Sequence, residues 1–145
     1  MTITQDKDGS KMLTGISNAH ALTTDTAFHW FRERHDSYKP DQVAVAKIAS
    51  QASSLSFVVF GGTWCSDTRD LLPAFYQVME QAHVAESHIT LHLVDRTKKA
   101  ADGSTDTYAI TNVPTFVVLR DGMPVGQVVE SVKKNIESDI ADLLK

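Results

Sequence analysis

The chain holds a single cysteine, Cys65, in 145 residues. That excludes an intramolecular disulfide and agrees with a reducing compartment. No apolar run approaches the length of a membrane span, so no membrane association is expected. The opening MTITQDKDGSKMLTG lacks the apolar core of a signal peptide, and the protein is expected in the cytoplasm. No Lys/Arg cluster is longer than two residues and the net charge is −4, which argues against nucleic-acid binding. There is no glycine-rich phosphate loop, no serine-nucleophile motif, no paired-carboxylate motif and no internal repeat. His88 and His92 could share one face of a strand, but no third ligand stands nearby. No metal or cofactor is therefore expected.

What is present is one domain of ordinary size and hydrophobic content, 42 %. It turns on Leu55 to Val78, LSFVVFGGTWCSDTRDLLPAFYQV. Phe57 to Phe60 is a short β-branched and aromatic run that predicts a buried strand. Gly61 and Gly62 break it. From Ser66 the spacing becomes helical, with Leu71, Phe75, Val78 and Ala82 on one face. Cys65 thus sits where a strand hands over to a helix. Unpaired backbone N–H groups there favour negative charge, and a thiol so placed ionises more readily than a free one.

Residues 1–21 read as a flexible or extended arm, with room for a short strand near Met12 to Ile16. Residues 22–54 read as an N-terminal helical addition. It holds one helix over Thr23 to His35 and a second from Asp41 to about Ser53, after a turn at Pro40. Residues 55–145 form the core. The helix after Cys65 is expected to continue, kinked, through Pro73. Ile89 to Val94 alternates as a strand. A short helix follows from Ser104 or Thr105 to Ile110. Thr115 to Leu119 and Val125 to Val129 flank the hairpin signal Asp121-Gly122. Ser131 to Lys145 closes as a helix. Arg96 next to Asp95 reads as part of a solvated pair. The order predicts an α/β fold with a mixed four-stranded sheet and helices on both faces.

Trp64-Cys65-Ser66-Asp67-Thr68, Pro73, Val113-Pro114-Thr115-Phe116 and Asp121-Gly122, in this element order, resemble the thioredoxin superfamily. The likeness runs from Leu55 to Lys145, about two thirds of the chain. It implies a thioredoxin-like fold, a cis bond before Pro114 and a place for Pro114 against the active cysteine. Two departures stand out. Thr68 occupies the position of the second cysteine, and Val59 that of a buried aspartate which moves a proton during resolution. The Trp-Cys-x-Asp form looks like that of bacterial thioredoxin-like proteins often labelled thiol-disulfide isomerases.

The resemblance implies thiol-disulfide exchange by a monothiol. Cys65 would attack a protein disulfide or a low-molecular-weight thiol adduct, and an external thiol would release the mixed disulfide. Thr68 could donate its hydroxyl to the thiolate. Pro114 would shape the groove wall, and Val113 would offer its backbone to an extended substrate. Trp64, Ser66 and Asp67 would line the approach. Asp67 opposes ionisation if its carboxylate faces the sulfur. The alternative is a binding module on the same scaffold with a vestigial cysteine. A subunit-bridging iron–sulfur cluster is disfavoured, because one thiol supplies too few ligands. The oligomeric state is open.

Overall fold

The computed structural model describes residues 1–145. Six strands form one sheet in the order β1-β2-β4-β3-β5-β6. In chain order these are β1 (Thr2–Gln5), β2 (Lys11–Ser17), β3 (Leu55–Gly61), β4 (Ile89–Leu93), β5 (Thr115–Arg120) and β6 (Met123–Val129). The helices are α1 (Ala19–Thr24), α2 (His29–Ser37), α3 (Gln42–Ala49), α4 (Ser66–Gln81), α5 (Ser104–Thr107) and α6 (Ile136–Asp142). β3 and β4 are parallel across the α4 crossover, while β3–β5 and β5–β6 are antiparallel. The sheet is thus mixed, as the element order predicts, but it has six strands rather than four. The first seventeen residues form a hairpin whose second strand pairs with β4, Ile16 opposite His92.

β3 is central and covered on both sides, which is why its sequence is a continuous apolar run. Phe57 and Val59 join a 26-residue core built with side chains of α2, α3, α4 and α6. Phe60 faces the other way into a six-residue cluster with Val94, Ile110, Val113, Val117 and Leu119. The four longer helices therefore pack on one face. The segment from β4 to β5, with only the four-residue α5, covers the second. Helices on both faces were expected; the second face is roofed mostly by loop.

α4 runs through Pro73 as one helix, with Leu71, Leu72, Phe75, Val78 and Met79 buried. Two other helices differ from their sequence pattern. Asn18 accepts the Ala21 N–H and starts a helix early, and the extended backbone of Asp25 then ends it. Asp25 caps the next turn at Ala27 and pairs with Lys11 of β2, so the expected single helix is split. At the C-terminus, the Asp139 carboxylate accepts the N–H groups of Lys133 and Lys134, and Asn135 caps the helix. Residues 131–135 are thereby drawn out of it. Asp121 and Gly122 both adopt positive φ, 52° and 80°, as a two-residue hairpin turn requires.

Candidate functional site

The end of β3, the start of α4 and the approach to β5 converge on Cys65. The thiol is half-buried, and its residue is the N-cap of α4. Its side chain does not cap the helix; the S–H donates to the Val113 carbonyl at 3.6 Å. The Val113–Pro114 peptide is cis. Ser66 and Asp67 are exposed on the first helical turn, where the Asp67 carboxylate suits the positive end of the helix. Trp64, Ser66 and Asp67 flank Cys65 in the chain, and the Val113 carbonyl meets its sulfur, with Pro114 directly after Val113.

Thr68 takes a different part from the one expected. It is fully buried, and its hydroxyl accepts the Gly62 N–H at 3.2 Å; no hydrogen bond joins it to the sulfur. Its methyl leaves no room for a side chain at Gly61, since a Cβ there would lie 2.9 Å from it. Thr68 thus closes the turn between strand and helix. Val59 is fully buried on β3, in the larger core.

Trp64 is folded back over the turn. Its indole N–H donates to the Val94 carbonyl at 2.9 Å. A Cβ at Gly62 would come within 2.5 Å of the indole, so glycine is what lets the ring lie there. The ring also carries the Arg96 guanidinium, 5.1 Å from the centroid.

Arg96 is not the solvated partner of Asp95 that the sequence suggests. Its Nε and Nη2 donate to both oxygens of Asp6, at 2.8 and 2.7 Å. That bidentate fork pulls the Asp6 carboxyl down to about 2, chiefly through the hydrogen bond from Arg96. It also holds Arg96 firmly protonated. Asp95 instead accepts from Thr97 N–H and hydroxyl. Leu13 N–H donates to the Thr63 hydroxyl at 3.4 Å, so the N-terminal hairpin also touches the site loop directly.

The helical addition is fastened to α4 as well. Arg34 pairs with Asp70, and Arg69 lies over Trp30 while its Nε donates to the Thr63 carbonyl. His35 bridges Asp36 and Glu80. Burial of that ring pushes its pKa down, but the hydrogen bonds to the two carboxylates outweigh it and the pKa is raised. His88 and His92 do not converge. His88 hydrogen-bonds the Leu55 carbonyl, whereas His92 is buried against Phe60, and burial lowers its pKa. No three His, Cys, Asp or Glu residues are placed to hold a metal ion. No helix is long and apolar enough to cross a membrane.

Comparison with known proteins agrees with this geometry. The Thioredoxin family model matches residues 40–142, so the likeness begins at α3, earlier than the motifs alone suggest. A TPR repeat-containing thioredoxin of Arabidopsis thaliana is 34 % identical over 98 residues, 68 % of this chain. The match spans only 24 % of that relative's length. A thioredoxin of Chlamydia pneumoniae is 31 % identical over 80 residues, 54 % of this chain and 71 % of that protein. The crystal structure of a Pseudomonas aeruginosa protein of unknown function superposes with a TM-score of 0.59 at 16 % identity. It covers 90 % of this chain and 80 % of that one, a likeness of fold that takes in the N-terminal region too. The family match and the thiol at the strand-to-helix turn place the chain in the thioredoxin family.

Proposed function

We propose that the chain is a monothiol thiol-disulfide oxidoreductase acting through Cys65. The thiolate of Cys65 attacks one sulfur of a partner disulfide. A new S–S bond joins Cys65 to that sulfur, the old S–S bond breaks, and the other sulfur leaves as a thiolate that takes up a proton. A second, external thiolate then attacks the partner-side sulfur of the mixed disulfide and frees Cys65. Electrons come from that external thiol, because the position where relatives resolve the bond internally is Thr68. Such a cycle suits a compartment rich in small thiols, the cytoplasm. Protein disulfides and low-molecular-weight thiol adducts are the substrates.

The observation that carries this reading is the half-exposed sulfur at the N-cap of α4, facing the Val113 carbonyl. Backbone N–H groups of Ser66, Asp67 and Thr68 open the helix at that point and favour the attacking thiolate. Val113 and Pro114 form the wall along which an extended substrate lies, and Trp64 is the apolar surface beside the thiol. Thr68 serves by fixing the turn. The test is release of a fluorescent thiol from its protein mixed disulfide, with and without added small thiol. Turnover should require both Cys65 and the external thiol. If Cys65→Ser turns over as fast as the parent, the reading fails and the binding-module alternative takes its place.

A further inference from the structure

The Asp6–Arg96 pair is asymmetric in its exposure. The Asp6 side chain is 3 % exposed, whereas that of Arg96 is 38 % exposed. An anion arriving from solution therefore meets the guanidinium and not the carboxylate that neutralises it. A guanidinium has five N–H donors, and Asp6 occupies one on Nε and one on Nη2. Three remain for another acceptor. The group is also held in place: the fork to Asp6 fixes its plane, and it lies over the ring of Trp64, the residue that precedes Cys65. Lysine would not reproduce this, because it makes neither the bidentate fork nor the planar stack. Other charges stand near the pair: Lys7 follows Asp6, and Asp95 precedes Arg96 with its carboxylate accepting from Thr97. Asp8 is tied to Ser10 at the hairpin turn, and Asp67 is exposed on the first turn of α4 and opposes an incoming anion.

We propose that Arg96 is a specificity-determining residue: aimed by Asp6 and seated on Trp64, it gives Cys65 a preference for partners that carry a carboxylate close to the reacting sulfur. This deepens the exchange activity proposed above and rests on it. The step biased is the attack already described, and the substrate class is acidic low-molecular-weight thiols and their disulfides. The N-terminal hairpin thereby becomes part of the site, since it supplies the carboxylate that orients the guanidinium.

The test compares two alkylating agents of nearly the same size, anionic iodoacetate and neutral iodoacetamide, and follows Cys65 by mass. The readout is the ratio of the two rates. Arg96→Gln should lower the ratio by about 1.4- to fivefold, the range of an exposed charge pair. Arg96→Lys should recover only part of it. Asp6→Asn should raise it, because the guanidinium is then no longer neutralised. Circular dichroism confirms that each variant is folded, and Arg96→Lys retains the charge should Asp6→Asn unfold. A role that is only structural would move both rates together and leave the ratio unchanged in Arg96→Gln, and that result overturns the proposal. The ratio is read whether or not Cys65 exchanges with disulfides, so loss of the parent activity and loss of this inference are separate outcomes.

Discussion

A single methyl group at Gly62 tests how the site loop is built. In Gly62→Ala the new Cβ would stand 2.5 Å from Nε1 and Cε2 of Trp64 and 2.8 Å from Cζ2. Contacts that short do not survive, so either the indole or the loop moves. Forcing an extra methyl into a packed site costs about 1–3 kcal/mol. Displacing the ring also breaks the bond from its N–H to the Val94 carbonyl, about 1 kcal/mol. It weakens the Arg96 stack as well, by about 0.5 kcal/mol at a half-exposed position. The sum is about 2.5–4.5 kcal/mol. At about 3 °C per kcal/mol for a chain of this size, Tm should fall by roughly 8–14 °C. Tryptophan emission from Trp64 should shift to the red, read in a Trp30→Phe background so that it is the only indole. The double variant Gly62→Ala, Trp64→Phe should lose much less than the two single losses added, because phenylalanine lacks the atoms the methyl strikes. A Gly62→Ala protein that melts within about 1 °C of the parent with unchanged emission would refute this account of the loop.

The remaining predictions concern charge. Glu137 is buried and accepts the Tyr38 hydroxyl at 2.6 Å and the Asp41 N–H at 2.7 Å. Glu137→Ala leaves both donors unmatched and should cost about 2–3 kcal/mol in urea unfolding. Asp6 titrates near 2 in the folded chain, below the ordinary carboxylate value, so its stabilisation is complete above about pH 4. It is lost as pH falls through 2. Hairpin amide protection, with the intrinsic pH dependence of exchange divided out, should fall over that window in the parent and show no such step in Asp6→Asn. The His35 pKa is raised above its ordinary 6.5, so its clasp between α2 and α4 is fully present below that value. It is lost as pH rises through the folded pKa. Thermal stability should decline over that range, and Glu80→Gln should flatten the dependence.

The parts of the fold that could be read in advance are those coded by neighbours in the chain. The switch from an apolar run to helical spacing across Gly61 and Gly62 locates Cys65 between β3 and α4. Asp121-Gly122 marks the hairpin because those residues accept positive φ. The N-terminal strands were harder to read. β1 is exposed along its whole length, so it carries no apolar alternation, and β2 gains its place only by pairing with β4. The split between α1 and α2 depends on Asp25 meeting Lys11, fourteen residues away. The setting of Arg96 is hidden in the sequence for the same reason. Its true partner, Asp6, lies 90 residues away, and nothing near Arg96 in sequence points to it. Thr68 shows a different limit: its type is visible, but the choice between sulfur and the Gly62 N–H is made by the geometry of the turn.

The central claim is that Cys65 exchanges with disulfides from outside and depends on an external thiol to recover. Intact mass of the folded protein after exposure to glutathione disulfide at neutral pH tests it most directly. One adduct should appear on Cys65, none on Cys65→Ser, and added reduced thiol should remove it. A folded parent chain that takes up no adduct under those conditions would contradict the account.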